Sequence, residues 1–312
     1  MLVGSVGTMG LSACWSGAPG SGAPDGGAPR YVVVEAWPRL PADWALGDVA
    51  AVAVDSHEHV FVFHRGAEHS IFAVEAGSGE VVLSFGSGQF ERAHGIAVDS
   101  QDNIWVADVG RHQVLKFSHD GILQMALGER GIPGSDAHHF DKPTDVAVAS
   151  DGTIFVSDGY GNRRVAKFSS DGRFLGEWGG FELPHGIGID ARGQVYVADR
   201  AAQRVYVHGR NGELLSELGP EVLGPTGRPW GLEISQGRLY VIDGGDMDDE
   251  TPNRARLTRI GPDGSVEAVW GAYGIAPGQL LWGHDVAVGS DGSVYSAEVR
   301  DADRVQKFML AD

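Results

Sequence analysis

The chain contains a single cysteine, Cys14, so no intrachain disulfide can staple it and the fold must hold by packing alone. Positive charge is scarce: 24 Lys and Arg stand against 42 Asp and Glu, for a net charge of −18. Such a surface repels phosphate backbones and anionic bilayers, which excludes nucleic acid as an expected partner. No apolar run reaches the roughly 20 residues needed to cross a bilayer as a helix, and no stretch carries a sustained helical period. What the chain has in quantity is glycine, 47 of its 312 residues. These glycines recur at regular turn positions among strands of apolar alternation, the mark of a turn-rich globular protein rather than of disorder.

Residues 1–29 read as a leader and tether. Residues 1–13 are mildly apolar and uncharged, and Leu11-Ser12-Ala13-Cys14 resembles a bacterial lipobox, in which the cysteine is acylated after cleavage. The Gly, Ser, Ala and Pro that follow to Pro29 suit a flexible tether. Two expectations stand: an exported, periplasmic or lipid-anchored protein, or a cytoplasmic one with an unstructured start.

From Val49 onward one pattern repeats. Its clearest copy is His94-Gly95-Ile96-Ala97-Val98-Asp99 followed by Asn103-Ile104-Trp105-Val106-Ala107-Asp108. The first position reads Ala50, His94, Thr144, His185, Trp230 and His284, at spacings of 41 to 54 residues. Each of the first five copies supplies four short strands separated by turns, many of them Asp/Gly, which predicts antiparallel pairing. Six such copies predict an all-β, six-bladed β-propeller occupying residues 30–312 as a single domain, expected to be a monomer. The sixth copy lacks its fourth strand, and a front segment at about 31–37, Tyr31 to Trp37, is expected to complete that blade and close the ring. No helix is expected.

The chemistry lies where the copies differ. In a propeller the first strand of each blade lines the central channel, so histidines in the second, fourth and sixth copies converge on one axis. Three imidazoles with a vacant fourth position form the donor set of a catalytic zinc, since closed structural sites use four protein ligands. Arg65 and Arg200 replace small or apolar residues at one repeat position in opposed blades, and Tyr160 follows one place later in blade three. Two guanidiniums and a phenol at a metal-lined mouth predict a substrate bearing a carboxylate. Asp285, directly after His284, reads either as a support for the ligand or as a donor to a hard cation in the channel.

These residues resemble the peptidyl-α-hydroxyglycine α-amidating lyases, a family of six-bladed propellers related to NHL-repeat proteins. The likeness covers roughly residues 45–310. It is carried by Phe63-His64-Arg65-Gly66, His94-Gly95-Ile96, Asp108-Val109-Gly110-Arg111-His112-Gln113-Val114, Pro143-Thr144-Asp145-Val146-Ala147-Val148, Val156-Ser157-Asp158-Gly159-Tyr160, Leu183-Pro184-His185, Val197-Ala198-Asp199-Arg200 and His284-Asp285. The resemblance implies that His94, His185 and His284 hold a catalytic zinc and that Tyr160, Arg65 and Arg200 are the active-site tyrosine and arginines. It further implies a structural calcium on Asp285 and the carbonyls of Val52 and Ile96. The reaction implied is cleavage of the N–Cα bond of a peptidyl- or N-acyl-α-hydroxyglycine, giving an amide and glyoxylate. The chain departs from the family in three respects. It lacks the disulfide cysteines, with Gly161 after Tyr160; it has Trp282-Gly283 where the family has Met-Pro; and its 312 residues include no copper monooxygenase domain.

Two other readings stay open. A non-catalytic NHL-type propeller binding a peptide or protein gives no reason for three alternating histidines. A metal-dependent hydrolase of the lactonase type calls for acidic and Asn ligands in the channel. His57, His59, His64 and His69 fall on turns and strand ends and read as surface residues of dissimilar facing, while the His138-His139 pair falls in the loop before blade three, near the mouth, with no ligand spacing to another group. Asp246 to Glu250 reads as a solvated loop.

Overall fold

The computed structural model describes residues 29–224, 227–245 and 255–311. Cys14 and the acidic run 246–250 lie outside the described residues. Six four-stranded antiparallel sheets are arranged as a ring, the six-bladed, all-β propeller predicted above. Their innermost strands are Val49–Val54, Ala93–Val98, Asp145–Val148, Pro184–Ile189, Pro229–Ser235 and Gly283–Val288. Each of these strands packs beside the next, and the sixth returns to the first.

The reason a sheet stands on edge here is visible in its burial. Inner and second strands are buried along both faces, because each blade is sandwiched between two others; Ile104–Asp108, for example, is buried at every residue. The outer strands alternate instead, as in Phe174–Trp178, with one face on the neighbouring blade and one in water. Six apolar clusters fill the six interfaces between blades. Phe61, Phe63 and Ile71 of blade one meet Ile104, Leu115 and Phe117 of blade two, and the last interface joins Val52, Val60 and Val62 to Ala287, Tyr295 and Val305.

The ring closes as expected, though with a shorter strand. Tyr31–Val33 pairs antiparallel with Arg304–Leu310, aligning Tyr31 with Leu310 and Val33 with Phe308. Pairing stops after the Val34 amide donates to Lys307 O at 2.8 Å. Ala36 then turns the chain at φ 56°, so Trp37 leaves the sheet edge and buries itself, its Nε1 donating to Ala76 O at 3.1 Å. A single turn of helix, Pro220–Leu223, also stands where only loop was expected. It is too short to carry a helical period in sequence, and the proline at its start supplies the fixed φ that favours it.

The Asp-Gly turns work through one residue in the left-handed region. In blade three Gly152 has φ 84° and its amide donates to Ala149 O at 2.8 Å. Asp102 takes that place in blade two at φ 58°, which Asp tolerates better than most residues.

Candidate functional site

In five of the six blades the first residue of the repeat is where the strand pairing slips. Pairing of the inner and second strands jumps between Ala93 and Gly95, between Pro184 and Gly186, and between Gly283 and Asp285. His94, His185 and His284 are therefore the extra residues of β-bulges, which re-aim a side chain out of the pleat. All three turn into the channel mouth. Their ring centroids are 4.7, 4.7 and 4.9 Å apart, and one ligand atom from each lies within 4.8 Å of the others.

Two of the imidazoles are hydrogen-bonded to a carbonyl of the next blade. His94 Nδ1 is 2.6 Å from Thr144 O and His185 Nδ1 is 2.7 Å from Trp230 O. The carbonyl of Ala50 stands in the equivalent place for His284 and favours its protonated form, although the contact falls short of hydrogen-bond geometry. A carbonyl acceptor holds the proton on Nδ1 and leaves the Nε2 lone pair facing the axis. Burial holds all three well below the usual histidine range. For His94 the charge of Arg65 adds to burial, and for His185 and His284 that of His94 does. Three neutral, buried, inward-facing Nε2 atoms fit zinc in ligand type and number.

Tyr160 reaches the same point. Its hydroxyl is 3.0 Å from His94 Nε2 and 3.3 Å from His185 Nε2. Gly159 makes this approach feasible, since a Cβ there would meet Pro184 O at 1.8 Å. The Arg200 guanidinium lies 4.3 Å from the Trp230 ring and 5.9 Å from that of Tyr160. Burial lowers its pKa, which the Tyr160 hydroxyl partly offsets. Arg65 is placed differently. It donates through Nε to Ala93 O at 3.1 Å and through a terminal nitrogen to Asp48 at 2.5 Å, so it enters the site as half of an ion pair.

Below the histidines the channel holds a cavity of about 170 Å³ lined in part by Val52, Ile96, Asp145, Glu233 and Asp285. Asp285 Oδ2 accepts from Val52 N at 3.1 Å, and Asp145 Oδ2 accepts from Ile187 N at 3.0 Å. The glycines after the first repeat position make room for these carboxylates: a Cβ on Gly95 would come within 2.4 Å of Asp145 Oδ1, and one on Gly231 within 2.6 Å of Asp285 Oδ1. Burial pushes Asp145 and Asp285 upward, and burial with the charge of Asp145 lifts Glu233 to about 8. Three carboxyl groups facing one channel cavity suit a hard cation with oxygen ligands.

Sequence reasoning had tied Asp285 to Val52 and Ile96 and passed over Asp145 and Glu233. The signal was present, since Asp145 occupies the same repeat position as Asp285 three blades away. It also passed over the aromatic wall. Trp230 lies 5.2 Å from His185 and 5.5 Å from His284, and Arg300 stacks on Trp282 at 4.5 Å. Arg300 stands at the repeat place that Tyr160 holds in blade three. The ring of acids at the ends of the second strands is scaffold: Asp108 accepts from the amides of Glu91 and Arg92, and Asp199 from those of Glu182 and Leu183. In blade one His64 does the same with Nδ1, accepting from Gly66 N at 3.1 Å.

Fold and site together define a six-bladed propeller with a buried three-histidine centre at one channel mouth. A family model described as NHL repeat matches residues 90–117 and 140–168. NHL repeat-containing protein 3 of Homo sapiens is 30% identical, the match covering 88% of this chain and 82% of that protein. The probable peptidyl-alpha-hydroxyglycine alpha-amidating lyase pgal-1 of Caenorhabditis elegans is 35% identical over 63% of this chain and 64% of its own length. Peptidyl-glycine alpha-amidating monooxygenase B of Xenopus laevis is 31% identical over 87% of this chain, which spans about a third of that protein, 35%. The chain belongs to the NHL-repeat family of propellers that takes in the peptidyl-α-hydroxyglycine α-amidating lyases. A solved streptogramin B lyase shares the fold alone, with a TM-score of 0.60 at 15% identity over 90% of this chain and 98% of that one. Among the described residues no helix is long and apolar enough to cross a membrane.

Proposed function

We propose that the protein is a carbon–nitrogen lyase that cleaves a peptidyl- or N-acyl-α-hydroxyglycine to the amide and glyoxylate. The observation that carries this reading is the Tyr160 hydroxyl within hydrogen-bonding distance of the inward-facing Nε2 atoms of His94 and His185. The similarity to relatives named as amidating lyases supports it.

The three histidines would hold zinc, and zinc bound there supplies a Lewis acid for a substrate oxygen. The reaction adds no water. The hydroxyl hydrogen leaves as the glyoxylate carbonyl forms, the N–Cα bond breaks, and the amide nitrogen gains a proton. Tyr160, at the edge of the histidine cluster and part-exposed to the mouth, is placed to take the hydroxyl proton at its phenolic oxygen. Arg200, desolvated against Trp230, is the group to pair with the glycine carboxylate, because its guanidinium offers two parallel donors. Arg65 contributes charge at the opposite side while its ion pair with Asp48 fixes its direction.

A calcium ion in the channel would be held by Asp285, with Asp145 and Glu233 facing the same cavity. Such an ion supplies the positive charge that lets the three carboxyls ionise together. The decisive experiment is incubation of the purified protein with an N-acyl-α-hydroxyglycine and assay of glyoxylate. Release that depends on the protein and on Tyr160 supports the reading, and absence of turnover by the zinc-loaded protein overturns it.

A further inference from the structure

At the end of the ring opposite the mouth, where the inner strands finish, a second set of metal-type donors comes together. Asp55 follows the inner strand Val49–Val54, and its side chain is fully shielded from solvent. Oδ1 accepts from the amides of His57 and His59 at 2.9 and 2.7 Å, which fixes the carboxylate and leaves Oδ2 to the histidine rings. Around Oδ2 stand His119 Nε2 at 2.9 Å, His59 Nδ1 at 3.0 Å and His57 Nδ1 at 3.8 Å. The three rings are 5.7 to 5.9 Å apart between centroids. His57 and His59, read from sequence as facing different ways, thus share one carboxylate. His119 joins them from blade two, in the turn after the strand Gln113–Phe117.

We propose that Asp55, His57 and His119 form a second, solvent-facing site for a borderline transition metal such as zinc, independent of the reaction at the mouth. Ligand atoms of these three residues lie within 4.8 Å of one another. Tetrahedral coordination with bonds of about 2.1 Å places neighbouring donors about 3.4 Å apart. The separations of 2.9 and 3.8 Å from Asp55 Oδ2 bracket that value, so modest side-chain movements suffice. Two imidazoles and one carboxylate select zinc, copper or nickel over calcium or magnesium. His59 is the positioning residue, since its Nδ1 grips the same oxygen and keeps Asp55 from turning away.

The surroundings supply what the ligands need. His119 would bind through a neutral Nε2, leaving its proton on Nδ1, and Asp120, 4.0 Å from that atom, adds negative charge beside it. Asp102, held by the amide and hydroxyl of Ser56 at 3.0 and 2.7 Å, stands 3.6 Å from His57 Nδ1 and adds negative charge. His119 also rests edge-on against buried Phe61 at 5.7 Å, which limits its rotamers. His57 has 61% of its side chain exposed, so an ion would keep a position open to water. Because Asp55 and His57 belong to blade one and His119 to blade two, the ion would tie two blades together at the far face.

The test is equilibrium dialysis of the full chain, stripped with chelator, against zinc chloride alone, with metal measured by emission spectroscopy. The wild type is expected to take up two zinc ions per chain, His57→Ala to bind the second at least tenfold more weakly, and His185→Ala to keep it. Because His57 is exposed, its replacement leaves the ring intact, which circular dichroism checks. Cobalt loaded into His185→Ala should show visible absorption of tetrahedral strength that His57→Ala removes. A His185→Ala variant that binds no zinc, or a His57→Ala variant that binds as much zinc as tightly as wild type, overturns the proposal.

Discussion

The hydroxyl of Tyr160 lies 3.0 Å from Nε2 of His94, so the phenol and the three-histidine centre share one hydrogen-bonded surface. Tyr160→Phe removes the oxygen and leaves the ring in place. Glyoxylate release should fall by about 10² to 10⁴, the usual worth of a positioned proton acceptor, with zinc content unchanged. Loss of zinc along with the rate would reassign Tyr160 to holding the centre.

His185→Ala should cost the mouth its metal, one equivalent fewer per chain by emission spectroscopy, with the far-face site unaffected. The variant keeps the bulge and frees the Trp230 carbonyl, so circular dichroism should match wild type. Full retention of zinc at the mouth would dismiss the three-histidine assignment.

The two arginines should separate by readout. Arg200→Ala, which removes the cation over Trp230, should raise KM tenfold or more with little change in melting temperature. Arg65→Ala should lower stability as well, by up to about 1 kcal/mol for this part-exposed pair, because Asp48 loses its partner. Equal stability of the two variants would mean that the Asp48 pair does not brace the mouth.

Glu233 sets a pH dependence in the cation-free protein. Its folded pKa is raised to about 8 by burial and the charge of Asp145, so the folded state holds the proton more tightly than the unfolded chain. The stability this contributes is complete below the unfolded value of about 4.3 and is lost as pH rises through about 8. Chelator-treated protein should therefore melt lower at pH 8.5 than at pH 5.5 through this group, and Glu233→Gln should flatten that slope. Added calcium should raise the melting temperature at pH 8.5 far more than at pH 5.5. A variant with the wild-type slope would remove Glu233 from the channel cluster.

The scaffold was readable because repetition amplifies weak signals. One Asp-Gly turn is ambiguous, but six equivalent strands with the same gaps leave a single architecture. The histidines were readable as departures from what the copies share. Two kinds of feature were not. Asp145 and Glu233 face the channel from blades three and five, and linear spacing does not reveal that Glu233, one pleat deeper than Asp145, shares its cavity. His119 meets Asp55 across 64 residues of sequence through the contact of two different blades, at turn positions that the strand pattern leaves unassigned. The shortening of the closing strand at Val34 was hidden for another reason, since the residues from Tyr31 to Trp37 alternate well enough for a longer one, and only the burial of Trp37 bends them away.

Three blades supply an imidazole and the three between them supply the carbonyls that stand behind it, at Thr144, Trp230 and Ala50. The centre is thus divided equally around the circle, with no blade spare. A chain cut and rejoined at a loop between blades should retain it, because every neighbour relation survives the change of starting point. A fragment of three or even five blades should not, since it leaves at least one ligand missing or unsupported. The smallest unit that can carry this chemistry is the closed circle itself.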